Sequence, residues 1–458
     1  MKKIFLAFIF ILFLSAKPAL ATDYFVATTG NDSDSGTQSQ PWKTIQKAAN
    51  IMSPGDTVNV LAGSYTTERV QVSKSGNSGS PIIYQAQGQV TMKGFSVRAN
   101  YIIVRGFEIT NTDNAWDEGA GIFVLGSHNL IENNYVYYAT HDGINVWATR
   151  GSEANFTDNI VRNNRLERNG NVGIVISGRN GLVEGNEIWD TIQNHPKSTQ
   201  PADANGIDYF GSGHIIKNNY IHDIKYDGTY VTTAHIDCFQ TWDDAYQEYA
   251  SNDLITQNRC FCLTSQSQNE TCQGFMIEDA QNITFSNNII QAYIVAYSSP
   301  GSPNLKFFNN TFISSLVTPA GGSFSPIYLT NSPNAQIKNN IFYDYPGSPV
   351  YLFDSASQQG LDAGYNLVYH SDGGALSGSP YPHDLWGINP LLTSDYHLQS
   401  TSPAIDAGID VGITYKGISP DIGAYEFAKK IDITAFHQLL SVFTNIFNYN
   451  QLVASFGK

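Results

Sequence analysis

The sequence predicts an all-β fold built as a parallel β-helix, and three observations carry that reading. Nine times an Asn is followed two places later by an apolar residue: Asn134/Val136, Asn164/Leu166, Asn186/Ile188, Asn219/Ile221, Asn258/Cys260, Asn288/Ile290, Asn310/Phe312, Asn340/Phe342 and Asn366/Val368. The Asn residues are 30, 22, 33, 39, 30, 22, 30 and 26 apart, a spacing that marks a repeat architecture. Asn tolerates the left-handed conformation of a tight turn, and stacked amides can hydrogen-bond from coil to coil. Second, short alternating strands recur as GIFV at 121, GINVW at 143, GIVI at 173, GIDYF at 206 and HIDCF at 235. Third, the connections at 148–158, 190–205, 223–234 and 241–253 are long where others are two to four residues. Insertions in solenoids gather on one face, often the binding face.

The elements follow in chain order. Residues 1–21 carry Lys2 and Lys3, an apolar run from Ile4 to Leu14 and a small-residue site at Ala19-Leu20-Ala21, the pattern of a secretory signal peptide. The run is too short to span a bilayer, so no membrane insertion is expected, and the mature chain should be exported to the extracellular space or periplasm. Without this leader 22 basic residues face 40 acidic ones, a net charge of −18. That excess argues against nucleic acid or an anionic membrane as partner.

The opening segment YFVATTGNDSDSGTQSQPWKTIQKAAN followed by GDTVNVLAGSY resembles the start of many secreted right-handed parallel β-helix proteins, polysaccharide lyases among them. The resemblance implies a short strand and a capping helix, about Trp42 to Ile51, over the open end of the solenoid. The Asp/Ser/Gly run at 30–36 reads as a solvated turn, with a calcium loop as the sharper alternative. The tail SPAIDAG (402–408) with SPDIGAYEF (419–427) is similar to the closing segment of such proteins. The expected architecture is therefore a right-handed parallel β-helix over 22–427, with roughly ten coils, usually a monomer. In 428–458, IDITAFHQLLSVF and NIFNYNQLVASFGK resemble the helical halves of a duplicated dockerin-type module. Only Asp432 remains of the acids such a module needs for calcium, so a degenerate helical tail is expected.

Four cysteines lie within 35 residues. Four allow three pairings; Cys262–Cys272 closing a polar loop, with Cys238–Cys260 in the core, is favoured over free thiols or a zinc site.

The candidate chemistry lies on the outward column of the first strand. Phe123, Asn145, Val175, Asp208 and Asp237 are expected to point out there, with Ile122, Ile144, Ile174, Ile207 and Ile236 pointing in. Two carboxylates one strand spacing apart, about 4.8 Å, raise one another's pKa and supply an acid beside a base or nucleophile, the pair a glycosidase needs. Asp208 and Asp237 are thus the predicted catalytic pair, with His235 on the same face to orient or protonate substrate. The same carboxylates, with Asp243, could instead hold calcium. Trp147, Trp242 and Phe210 could stack sugar faces. Gln240, Asn145, His141 and Asp203 are further substrate contacts, with Asp142 beside them and Glu278 and Asp279 on the next coil.

Polygalacturonase-like enzymes use stacked aspartates with a nearby His on this face, and Asp208, Asp237 and His235 are similar in kind, although that family's full motif set is missing. Calcium-dependent β-helix lyases use several aspartates with a Lys or Arg base; Lys217 and Lys225 lie near in sequence, but Lys217 belongs to the second strand. The expectation is a secreted polysaccharide-cleaving enzyme with hydrolysis favoured and no required cofactor. A calcium-dependent lyase of uronic-acid polymers and a non-catalytic glycan-binding or cell-surface protein are the alternatives.

Overall fold

The computed structural model describes residues 21–428 except 116, 199–201, 225–235, 244, 263–271, 293, 315–324, 346–350 and 374–375, and the side chains of Cys272 and Leu352. The leader, the dockerin-like tail, His235 and the Cys262–Cys272 pairing therefore lie outside the described residues.

Each coil contributes three short strands. A typical coil runs Ile122–Val124, Leu130–Glu132 and Tyr135–Tyr137, and each strand pairs in parallel with its counterpart one coil on, Ile144–Val146, Ile160–Arg162 and Arg165–Glu167. Three parallel sheets result. Among the described residues the second sheet has ten strands from Ile102–Arg105 to Asp362–Gly364, one per coil. Inward residues fill the tube with stacked rings; Phe239, Phe275, Phe285 and Phe307 follow one another at 5.3, 4.3 and 5.0 Å. No helix among the described residues is long and apolar enough to cross a membrane.

The repeated Asn residues form one ladder between the second and third sheets, all nine at 1% exposure or less. Asn219 donates both its backbone N–H and its Nδ2 to Asn258 Oδ1 at 3.0 Å, and Asn258 does the same to Asn288 Oδ1 at 3.0 and 3.1 Å. Each amide also donates to a main-chain carbonyl of the preceding coil, Asn258 Nδ2 to Ile216 O at 2.9 Å. A buried amide costs little only when its groups are satisfied, and here the repeat satisfies them. The left-handed turn lies one residue earlier than expected. Asn133, Asn163, Asn218, Gln257, Asn287, Asn309 and Asn339 have φ between 53° and 59°, whereas the ladder residues do not. The turn residue provides the conformation, and the ladder residue the hydrogen bonds.

Both ends are covered. The helix Ile45–Ile51 starts at Thr44, whose side chain accepts from Lys47 N. In the 30–36 run Asp32 accepts from Lys43 N, Thr44 N and Thr44 Oγ1 at 2.9, 2.9 and 2.7 Å, so its carboxylate holds the start of the cap rather than a cation. At the other end the closing segment runs back over the solenoid. Asn309 Nδ2 donates to Asp421 O at 2.9 Å and Asn339 Nδ2 to Ile409 O at 2.8 Å. The Cys238–Cys260 disulfide is present, joining the first and third sheets inside the core.

Replacing Asn258 by Ala strands the Asn219 N–H and amide and the Ile216 carbonyl inside the core. Urea unfolding should show a loss of about 3 kcal/mol, since each orphaned buried group costs roughly 1–3 kcal/mol; an unchanged midpoint would show that the ladder contributes nothing.

Candidate active site

The long connections flank the first sheet on both sides. Segments 110–121 and 190–204 lead into its strands, and 147–159 and 242–253 lead out of them. Cationic side chains bind these loops together. On the leading side Lys197 Nζ donates to Asn111 Oδ1 at 2.8 Å and Thr112 O at 2.9 Å. On the trailing side Arg150 pairs with Asp243 at 2.6 Å and donates to Gln247 O at 3.0 Å, while its N–H donates to Tyr246 O. Asp243 is thus engaged by a guanidinium in this structure.

The outward column of the first sheet reads Phe123, Asn145, Val175, Asp208, Gln240, Met276, Tyr297 and Tyr328. The expected alignment holds for four coils and then slips by three residues. Asp208 pairs with Gln240, not Asp237, and Ile207 with Phe239, not Ile236. Gly206 marks the same register: a Cβ built there would lie 2.6 Å from Cys238 O, so Cys238 continues the column that Gly143, Gly173 and Gly206 occupy. Asp237 stands in the adjacent column, following Val172 and Asn205 and preceding Gln273.

Asn205, which the sequence reading missed, is the hub between the columns. Its Nδ2 donates to Asp208 Oδ1 at 3.1 Å and, in a very short contact, to Gln240 Oε1; its Oδ1 accepts from Asp237 N at 3.0 Å. Two coils earlier Asp142 accepts from Asn145 Nδ2 at 2.6 Å and, from the coil between, Asn171 Nδ2 at 2.8 Å. Asn145 is therefore a holder of Asp142, buried to 2% exposure, rather than an accessible substrate contact.

Asp208 and Asp237 are 3% and 0% exposed, so the expectation of solvated outward carboxylates is corrected to a buried acidic floor. Burial is the largest cause pushing the Asp208 carboxyl well above its ordinary range, and the charges of Asp203 and Asp142 add to it against the Asn205 hydrogen bond. Asp237 is raised in the same way by burial and then by Asp203, Asp208 and Glu278. Asp142 is raised by burial, opposed by Asn171, Asn145 and His141. Asp203, half-buried, is thus close enough to act on both main carboxylates.

Trp242 packs edge-on against Phe210 at 4.6 Å, in a cluster with Val172 and Val175 beside Asp208. Phe210 itself is 1% exposed: it supports Trp242 and cannot stack a sugar. Trp147 and Trp242 are half-buried, as is His141, whose Nε2 lies 3.4 Å from Asn114 O. Lys217 pairs with Glu184 at 3.1 Å on the second sheet, away from this floor. Among the described residues the metal-type trio of ligand atoms within 4.8 Å is Cys238, Cys260 and Cys262, a cluster accounted for by disulfide chemistry.

Coils, ladder, caps and walled first sheet define a right-handed parallel β-helix with the fold of the pectate-lyase-like superfamily. Residues 24–165 match the family model described as Pel9A-like, right handed beta helix region. Over 432 residues, 88% of this chain and 90% of the relative, the chain is 23% identical to pectate lyase L of Dickeya dadantii (strain 3937). The crystal structure of pectate lyase Pel9A superposes with a TM-score of 0.51 at 18% identity, over 90% of this chain and 97% of that one. XylC in complex with xylose superposes at 0.55 and 14% identity, over 81% and 87% of the two chains.

The raised carboxyls set a pH dependence. The folded chain retains protons that unfolded Asp, with a pKa of about 3.9, releases. This contribution to stability is full below about pH 4 and is lost as pH rises through the folded values. In chelator, the melting temperature should fall as pH rises from 4 toward neutrality, and Asp208→Asn or Asp237→Asn should flatten that fall. A slope unaffected by both substitutions would refute the buried-acid assignment.

Proposed function

We propose that this chain is a polysaccharide-cleaving enzyme acting in the groove over the first sheet, and that it cleaves uronic-acid polymers by elimination with the help of a divalent cation. The observation that carries the reading is the pair of buried carboxylates Asp208 and Asp237 on neighbouring strands of the first sheet, with half-buried Asp203 beside them, between two loop walls. Likeness across most of their length to pectate lyase L supports it.

The donor chemistry is that of a hard cation, since carboxylate oxygens are what calcium takes, with about six to eight oxygen ligands in all; in this structure the three aspartates share a neighbourhood without bringing their oxygens within 4.8 Å of one another. Asp203, Asp208 and Asp237 would hold it, with water or a substrate carboxylate completing the shell. When bound, such an ion neutralises the acids and the uronate carboxylate, which makes the proton beside that carboxylate more acidic. The chain's own residues do the rest. Asn205 fixes Asp208 and Gln240 in place. Trp242 and Trp147 offer apolar faces to sugar rings. His141, on the leading rim beside Asp142, is the assigned proton acceptor. Elimination transfers the C5 proton to that base, breaks the bond from C4 to the glycosidic oxygen and leaves a C4–C5 double bond; the departing oxygen takes a proton from water.

One observation favours hydrolysis as a second reading: the raised carboxyls of Asp208 and Asp237 would supply a general acid. Their burial and their places in different columns weigh against two carboxylates poised on either side of a glycosidic bond. From the leader-like segment at 1–21 we infer work outside the cytoplasm, and we take the enzyme to act as a monomer.

Residues 22–458 incubated with uronic-acid and neutral polysaccharides should release reducing ends together with near-ultraviolet absorbance on the acidic polymers alone, and chelator should abolish both. Asp208→Asn and Asp237→Asn should each lower the rate by about a hundredfold. Reducing ends without absorbance, unaffected by chelator, would replace elimination with hydrolysis.

A further inference from the structure

Outside the groove, the third sheet carries a row of aromatic and cationic side chains. Most of its cations are paired: Arg165 with Glu187 at 3.3 Å and Arg168 with Asp190 at 2.8 Å. Arg259 is different. No carboxylate among the described residues lies within ion-pair distance of it, and its Nε is buried without an acceptor there. Its guanidinium lies 5.5 Å from the Tyr220 ring and 5.3 Å from the Phe261 ring, which stand edge to face at 6.1 Å. Asp395 feels its charge, but that carboxylate accepts from Thr393 Oγ1 at 2.5 Å and lies 3.8 Å from His397.

Arg259 also lines a cavity of about 290 Å³ with Tyr220, Asn218, Gln257, Asn287 and Tyr425. The cavity exists because the closing segment covers the third sheet only part of the way. Ala424 packs on Ile289 and Ile313, and Asn287 Nδ2 donates to Ala424 O at 3.3 Å. Two coils earlier, Tyr220 is left 38% exposed. The lining has a planar cation, amides and two phenol rings, and no carboxylate. In a chain of net charge −15, a guanidinium without a counter-charge and held flat by rings is a site for an incoming anion, because its fork matches a carboxylate.

We propose that Arg259, Tyr220 and Tyr425 form a second saccharide site, separate from the groove, that binds the carboxylate of a uronate unit. Arg259 takes the carboxylate, and Asn218 and Gln257 bond the hydroxyls; Tyr220, stacked on His222 at 4.3 Å, and Tyr425, stacked on His397 at 3.9 Å, are held by those contacts and give the cavity apolar walls for the sugar. The choice of a uronate rests on the acidic-polymer reading above; the anion preference rests on Arg259 alone. Such a site tethers a long polymer to the solenoid without touching the reacting bond.

The test is calorimetric titration of trigalacturonate into the full-length Asp208→Asn protein, where turnover is suppressed, with and without Arg259→Gln. The substitution should remove one binding event or weaken it about tenfold or more, and Arg259→Lys, which keeps the charge but not the fork, should fall between. Arg259→Gln in the otherwise unaltered enzyme should leave the rate on short oligomers unchanged. Identical isotherms with and without Arg259→Gln, no binding to the parent, or equal binding of a neutral trisaccharide would each overturn the proposal. Arg259-dependent binding by a protein whose unaltered form yields no ultraviolet-absorbing product would sustain this site and overturn the eliminative reading instead.

Discussion

A single carboxamide oxygen in each coil accepts two hydrogen bonds from the coil before it, and the other features of the molecule depend on that contact. Because Asn258 Oδ1 receives both the N–H and the amide of Asn219, the stacking register at that corner is fixed to one residue. A slip would exchange inward and outward faces along every strand and place polar groups in the core. With the corner fixed, the connections elsewhere in the coil are free to vary. Steps of 22 to 39 residues all return to the same ladder, so insertions as long as 241–253 leave the tube intact.

The candidate site draws on this rigidity. Burying several carboxylates together is costly, and a soft scaffold would relax to separate them. Here Asp208 and Asp237 belong to neighbouring strands of one sheet and are tied through Asn205, while Lys197 and Arg150 pin the loops on either side. The unfavourable electrostatics stay in place for a cation or substrate to relieve. Stability and function thus separate spatially: amides on one corner hold the fold, and acids on the first sheet are held against their preference.

The fold was legible because the ladder repeats, and the site was legible only in part because it does not. The Asn spacing and the glycine-led strands announce coils without any structure. Asp208 could be found because it sits in a strand that matches its predecessors, and Asp203 and Gln240 because they lie close to such motifs in sequence. The position of Asp237 could not. The Ile-Asp pair of GIDYF recurs in HIDCF and invites alignment, while long connections on both sides remove any spacing that would correct it. Asn205 was missed because an Asn at a strand start reads as a turn residue. Phe210 misled because alternation gives direction but not cover: the ring that packs on it, Trp242, belongs to the next coil, and no pattern or motif announces that contact.

The ladder also has a direction, which decides what a shortened chain would expose. From Asn to Asn, each rung donates toward the C-terminus. The first bond runs from Phe107 N to Asn134 Oδ1, and the last ends on a carboxylate, with Asn366 N donating to Asp384 Oδ1 at 2.8 Å. A solenoid cut short after any of these coils would therefore expose the unsatisfied N–H and amide of its last ladder Asn. Only the Oδ1 of the next coil accepts them, and the Asp384 carboxylate, which accepts from Asn366, ends the series.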